Sequence, residues 1–80
     1  MQEREFSKAF GEILRTAREK AGLSQERLAL TCEIDRTYVS LLERGLRQPT
    51  LVMLFRLAGP LGVRASWLVA QLEKRGVSPP

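Results

Sequence analysis

The segment from Ser24 to Gly45 constrains the fold most, because it carries two helical apolar repeats that no single helix can satisfy. Leu28, Ala29 and Cys32 recur at helical spacing, and Ile34, Val39 and Leu42 do so again after a break. Ile34 falls out of phase with the first run, and Asp35 offers a side-chain cap for a new helix beginning at Arg36. The pattern predicts two short helices joined by a tight turn near Glu33, spanning about residues 24–44. Turning Val39 and Leu42 inward leaves Arg36, Thr37, Ser40 and Arg44 on the outer face of the later helix. Such a face can donate hydrogen bonds to base edges and phosphates.

The rest of the chain also reads as helix. Phe6, Phe10, Ile13, Leu14, Ala17 and Ala21 give an amphipathic first helix from about Ser7 to Lys20. Gly22 suits the left-handed position after its end, and Leu23 is the apolar residue that packs back on such an ending. Ser24 caps the second helix, although Arg27 stands where a capping box would carry a carboxylate. Gly45 repeats the role of Gly22 after the third helix, and Leu46 to Pro49 form a loop. Thr50 caps a fourth helix whose inward residues would be Leu51, Leu54, Phe55, Ala58 and Leu61; Gly59-Pro60 either kinks or ends it. A fifth helix runs from about Ala65 to Lys74, with Trp67, Leu68 and Leu72 on one side and Val69 adjoining. Gly76 to Pro80 read as a frayed tail. The fold class is therefore all-α, a single five-helix domain over residues 1–80.

Composition narrows the function. The formal net charge of +4 is unevenly placed: residues 1–35 balance at −1 and residues 36–80 at +5, so the basic half begins at Arg36. With no histidine, no Gly-rich phosphate loop and no paired-carboxylate pattern, the sequence argues against an enzyme and suggests no cofactor. The single cysteine, Cys32, lies on an apolar helix face and reads as a small core residue rather than a redox sensor; alone it makes neither a disulfide nor a metal site. The longest apolar run, Leu51 to Phe55, is too short for a membrane span, and the first twenty residues are too charged for a signal peptide. A cytoplasmic location is expected.

Ser24-Gln25, the apolar pattern through Leu42, Glu43-Arg44-Gly45, Arg47, Pro49-Thr50-Leu51 and Trp67-Leu68 together resemble the Cro/lambda-repressor type of helix-turn-helix regulator, the XRE-like family. The likeness spans about residues 7 to 70. Within that family the string from Ile34 to Ser40, followed by Glu43-Arg44-Gly45, is most similar to the small controller proteins of bacterial restriction-modification systems. Phage repressors and antitoxins share much of it.

The resemblance implies a lambda-repressor-like fold with Gln25, Arg36 and Thr37 facing DNA and Ser40 one turn further along. Arg36 can give a bidentate fork to guanine, Thr37 can bond a base or touch a thymine methyl, and Gln25 can clamp a phosphate through its amide. Arg47, in the following loop, would reach a base edge or the backbone. Tyr38 and Arg44 match phosphate-touching positions, with packing along its own helix the other role open to Tyr38. Leu41 stands where relatives often carry a polar reader, so it either meets a thymine methyl or covers core. Arg18 and Glu43 match a partly buried structural ion pair between the first and third helices. Glu33 replaces the glycine of many relatives in the turn, and Arg64 replaces the Ser or Thr that often caps the last helix, which would then start late.

Two functions follow from these readings. The first is a homodimeric transcriptional regulator that docks two copies of the third helix on a pseudo-palindromic double-stranded operator, with Trp67, Leu68 and Leu72 supplying much of the dimer contact or, for Trp67, only intramolecular packing. If it activates, RNA polymerase is a further partner, and the acidic Glu19, Glu26 and Glu33 are the candidate surface. The chain leaves no room for a separate ligand-binding domain, so control falls to protein concentration and dimerisation. The second function is a helical protein-interaction module, antitoxin-like or a polymerase adaptor, that keeps the fold without the DNA site. RNA is a third and more distant partner, because no interleaved aromatic platform is visible.

Overall fold

The computed structural model describes residues 3–76 and contains five α-helices: α1 (Glu3–Lys20), α2 (Gln25–Cys32), α3 (Arg36–Glu43), α4 (Leu51–Leu61) and α5 (Ala65–Lys74). Val77 to Pro80 of the expected tail lie outside the described residues. α1 begins one turn earlier than its apolar spacing suggests. Glu3 and Glu5 favour the positive end of the helix, and the Ser7 hydroxyl is buried and donates back to the Glu3 carbonyl.

Three helix starts use the capping side chains expected of them. The Ser24 hydroxyl accepts from the Arg27 amide, a carboxylate oxygen of Asp35 from Thr37, and the Thr50 hydroxyl from Met53, each at 3.0 Å. Arg64 supplies no side-chain cap, yet α5 starts at Ala65 and not late. Glu33 takes the left-handed conformation at φ 57°, ψ 43°, where its amide closes the end of α2 on the carbonyls of Ala29 and Leu30. The turn thus keeps the geometry that favours glycine, at a cost of about 1 kcal/mol or more for a residue with a Cβ.

The core is built from Phe10, Leu14, Leu28, Val39, Leu42, Leu57 and Leu68, all fully buried, with Ile13, Ala17, Ala29, Cys32, Leu61 and Leu72 closing around them. α3 packs on α1 and α2, α5 on α1 and α4, and α4 on α2. Two glycines let chain segments meet closely. A Cβ on Gly11 would lie 2.5 Å from the carbonyl oxygens of both Leu42 and Glu43. Gly45 is left-handed at φ 74°, and a Cβ there would sit 2.8 Å from the Lys8 Cα.

α4 departs from the expected orientation. Its buried residues are Leu57, Ala58 and Leu61, with Met53 and Leu54 packed against the core, whereas Leu51 and Phe55 are 70% and 65% exposed. The helix passes through Pro60 and ends one residue later, at Leu61, with the left-handed Gly62 as its C-cap. Pro60 therefore sits in its last turn, where few intrahelical bonds remain to be lost.

Candidate nucleic-acid interface

The local code that starts α2 and α3 also places the side chains of the interface. Capping by Ser24 puts Gln25 at the head of α2, and capping by Asp35 puts Arg36 and Thr37 at the head of α3. Packing of Val39 and Leu42 then rotates Arg36, Thr37 and Ser40 outward. The structure brings Gln25, Arg36, Thr37 and Ser40 together as the lining of one shallow depression of about 210 Å³. Arg36 and Thr37 are exposed, Ser40 and Gln25 half-buried.

The other expected DNA-facing residues are distributed differently. Arg44 and Arg47 are exposed beyond the end of α3. Tyr38 is half-buried with its ring against the core, so only part of it is open to a backbone phosphate. Leu41 is half-buried.

Behind this face lies a polar cluster around the Glu43 carboxylate, whose side chain is 1% exposed. Arg18 Nε donates to Glu43 Oε2 at 2.5 Å and Nη2 to Oε1 at 3.1 Å, while Nη1 donates to the Leu23 carbonyl at 2.7 Å. The hydrogen bond to Glu43 raises the already high pKa of Arg18 against the opposing effect of burial, so its charge is permanent. The ion pair implied by the resemblance is present. Losing one partner would strand the other and cost ~3–5 kcal/mol.

Glu43 also engages two residues that the sequence gives no reason to connect with it. Gln25 Nε2 donates to Glu43 Oε1 at 3.0 Å, so the side chain expected on a phosphate is partly committed inward. Arg15 brings Nε to 3.5 Å from the same oxygen, with its side chain 59% exposed. The only sequence signal for Arg15 is its position one turn before Arg18 on α1.

The dimer surface expected on α5 needs correction. Leu68 and Leu72 are buried inside the chain, because α5 turns them onto α1 and α4, and neither is available to a partner. Trp67 stays 38% exposed. The larger apolar surface is on α4, where Leu51, Val52 and Phe55 line an open groove with Arg56. Sequence reading missed it because Leu51 and Phe55 were expected to face inward.

Cys32 is buried, and burial pushes its thiol pKa up against a smaller opposing effect of the Arg56 charge. Among the described residues no three potential ligands gather as a metal site. No single helix among them is long and apolar enough to cross a membrane.

Comparison with known proteins agrees with the five-helix fold. Residues 14–68 match the family described as Helix-turn-helix. The chain is 42% identical over 66 residues to the control protein C.MunI of Mycoplasma sp, covering 81% of this chain and 89% of the relative. It is 41% identical over 56 residues to the control protein C.BamHI of Bacillus amyloliquefaciens, covering 69% of each. Among solved structures, the restriction-modification controller protein C.AhdI from Aeromonas hydrophila superposes with a TM-score of 0.74 at 42% identity, covering 78% of this chain and 94% of that one.

Proposed function

The chain belongs to the helix-turn-helix family, and from that premise we propose that it is a sequence-specific, double-stranded DNA-binding transcriptional regulator that controls a restriction-modification system as a homodimer. The observation that carries this reading is the shared depression of Gln25, Arg36, Thr37 and Ser40 at the heads of two capped helices. A guanidinium, two hydroxyls and an amide presented together at the heads of two adjoining helices suit the major groove, where base edges offer matching acceptors and donors. The likeness to control proteins supports assignment to restriction-modification.

In this reading Arg36, Thr37 and Ser40 read bases and Arg47 reaches a base edge or the backbone. Arg44 and the open edge of Tyr38 hold phosphates, and Gln25 does so with whatever its bond to Glu43 leaves free. The groove of Leu51, Val52 and Phe55 takes over the dimer contact, because a small domain gains from covering so much apolar surface. Two-fold symmetry then presents two copies of α3 to half-sites about 10 bp apart or a multiple of it. Glu19, Glu26 and Glu33 are exposed and are the acidic candidates for a polymerase contact if the protein activates.

The test is selection from a random duplex library at physiological salt, with wild type and an Arg36→Ala/Thr37→Ala variant run in parallel. A two-fold-related motif enriched by wild type alone is the expected result. No enrichment by either protein would overturn the reading in favour of a protein-interaction module.

A further inference from the structure

Arg15, an exposed arginine in the middle of α1, is a side chain that the functional reading has not absorbed. Glu43 carries one negative charge, and Arg18 already neutralises it through two hydrogen bonds. Gln25 adds a third donor to the same carboxylate. Arg15 is therefore a second guanidinium on a carboxylate that is already satisfied. At 3.5 Å its Nε makes an ion pair of poor geometry, and its side chain remains 59% exposed.

The neighbouring carboxylates on α1 do not relieve this surplus. Glu12, one turn before, is held by Arg75 Nη1 at 2.6 Å, and Glu19, one turn after, forms no ion pair with Arg15 among the described residues. A guanidinium has five donors in a planar fork suited to tetrahedral oxyanions. On Arg15 none of them makes a hydrogen bond with another described residue.

Its position says which oxyanion it meets. Glu43 Oε1 is shared by Arg15 at 3.5 Å and by Gln25 at 3.0 Å, and Gln25 is one wall of the depression that holds Arg36, Thr37 and Ser40. The Arg15 guanidinium thus stands at the rim of the DNA-facing surface, beside the head of α2, whose first amides have no intrahelical acceptor. We infer that Arg15 is a further backbone contact of this protein, a phosphate clamp supplied by α1 and held ready over Gln25 by the buried carboxylate of Glu43. The inference rests on the DNA-binding reading and adds a contact from a helix outside the helix-turn-helix pair. Because phosphates carry no sequence information, Arg15 contributes equally on every duplex.

The experiment measures binding to two duplexes across a salt series: the sequence selected by wild type, and a scrambled duplex of the same composition. It compares wild type, Arg15→Ala, Arg15→Lys and Arg75→Ala, with the thermal midpoint of each recorded. Arg15→Ala is expected to weaken both duplexes by a similar factor, roughly three- to ten-fold, and to reduce the slope of log K against log salt by about one. Arg15→Lys should restore most of the slope, and Arg75→Ala should leave it as in wild type. The midpoint of Arg15→Ala should stay near wild type, because Arg18 still holds Glu43. An unchanged slope in Arg15→Ala, with wild type binding normally, would overturn the inference. An equal loss of slope in Arg75→Ala would also overturn it, by showing an effect of net charge alone. Absence of binding by wild type would instead overturn the DNA-binding reading and this inference with it.

Discussion

The thiol of Cys32 donates to the carbonyl oxygen of Arg56 at 3.4 Å, and Pro60 is the reason that this oxygen lacks a helical partner. In an α-helix the amide four residues later would bond it, but proline has no N–H and its ring crowds the carbonyl it should serve. A cysteine on α2 therefore completes the last turn of α4. This gives Cys32 a packing role and ties α2 to α4, the helices that flank α3 in the chain.

That relationship predicts a coupling. Cys32→Ala should destabilise the fold by about 1–3 kcal/mol, because it leaves a cavity and removes the donor from a partly buried carbonyl. Pro60→Ala restores a backbone N–H to that carbonyl. The loss on Cys32→Ala should then be smaller by at least about 0.5 kcal/mol in the Pro60→Ala background, measured as a double-mutant cycle by urea denaturation. Strict additivity would show that the thiol and the missing amide do not serve the same oxygen.

The same thiol makes a pH prediction. Burial raises the Cys32 pKa in the folded state, so the folded protein holds this proton more tightly than the unfolded chain does. Its contribution to stability is fully present below the unfolded thiol pKa of about 8.5, and is lost as pH rises from there through the higher folded value. Wild type should lose stability faster than Cys32→Ala between pH 8.5 and 10, approximately. Parallel denaturation curves for the two proteins over that range would contradict the assignment.

Gly11 yields a prediction opposite in sign to helix propensity. In the interior of an exposed helix, glycine to alanine stabilises by about 0.5–1 kcal/mol. Here the added methyl would meet the Leu42 and Glu43 carbonyls at 2.5 Å, where α1 crosses the end of α3. Gly11→Ala should destabilise by about 1–3 kcal/mol in a thermal or urea melt. A stabilised variant would mean that α1 and α3 are further apart than this structure places them.

Features written in local chemistry were legible in the sequence. Ser24, Asp35 and Thr50 are side-chain acceptors placed where helices begin, and Gly22 and Gly45 supply the left-handed residues that end them. The exposure of Arg36 and Thr37 followed from the phase of Val39 and Leu42. The buried face of α4 was not legible, because Leu51 to Phe55 is apolar on every side and its periodicity carries no phase. Contact with α2 and α5 decides that face instead. The bond from Gln25 to Glu43 spans 18 residues of sequence, and nothing local signals it. The close approach at Gly11 has no local signal either, since its need for space comes from the Leu42 and Glu43 carbonyls of a different helix.

The misread face of α4 carries the last prediction. Leu51, Val52 and Phe55 are each more than 60% exposed and lie side by side along an open groove, a costly arrangement unless a partner covers it. In a two-fold dimer the same residue appears on both sides, so one substitution removes two contacts. Burying a phenylalanine is worth about 1.5–3 kcal/mol, and Phe55→Glu also sets two carboxylates near each other at the dyad. The dimer dissociation constant should rise by roughly 100-fold or more, while each monomer keeps its fold because Phe55 takes no part in the core. Sedimentation equilibrium over a range of concentrations reads this directly. Trp67→Ala should have a smaller effect, and Leu68→Ala should act on folding rather than on association, because Leu68 is fully buried within one chain. A Phe55→Glu protein that dimerises as wild type does would move the interface away from α4. Loss of dimer together with loss of operator binding, but with weak binding to scrambled duplex retained, is the expected pattern if paired copies of α3 are what give the protein its sequence preference.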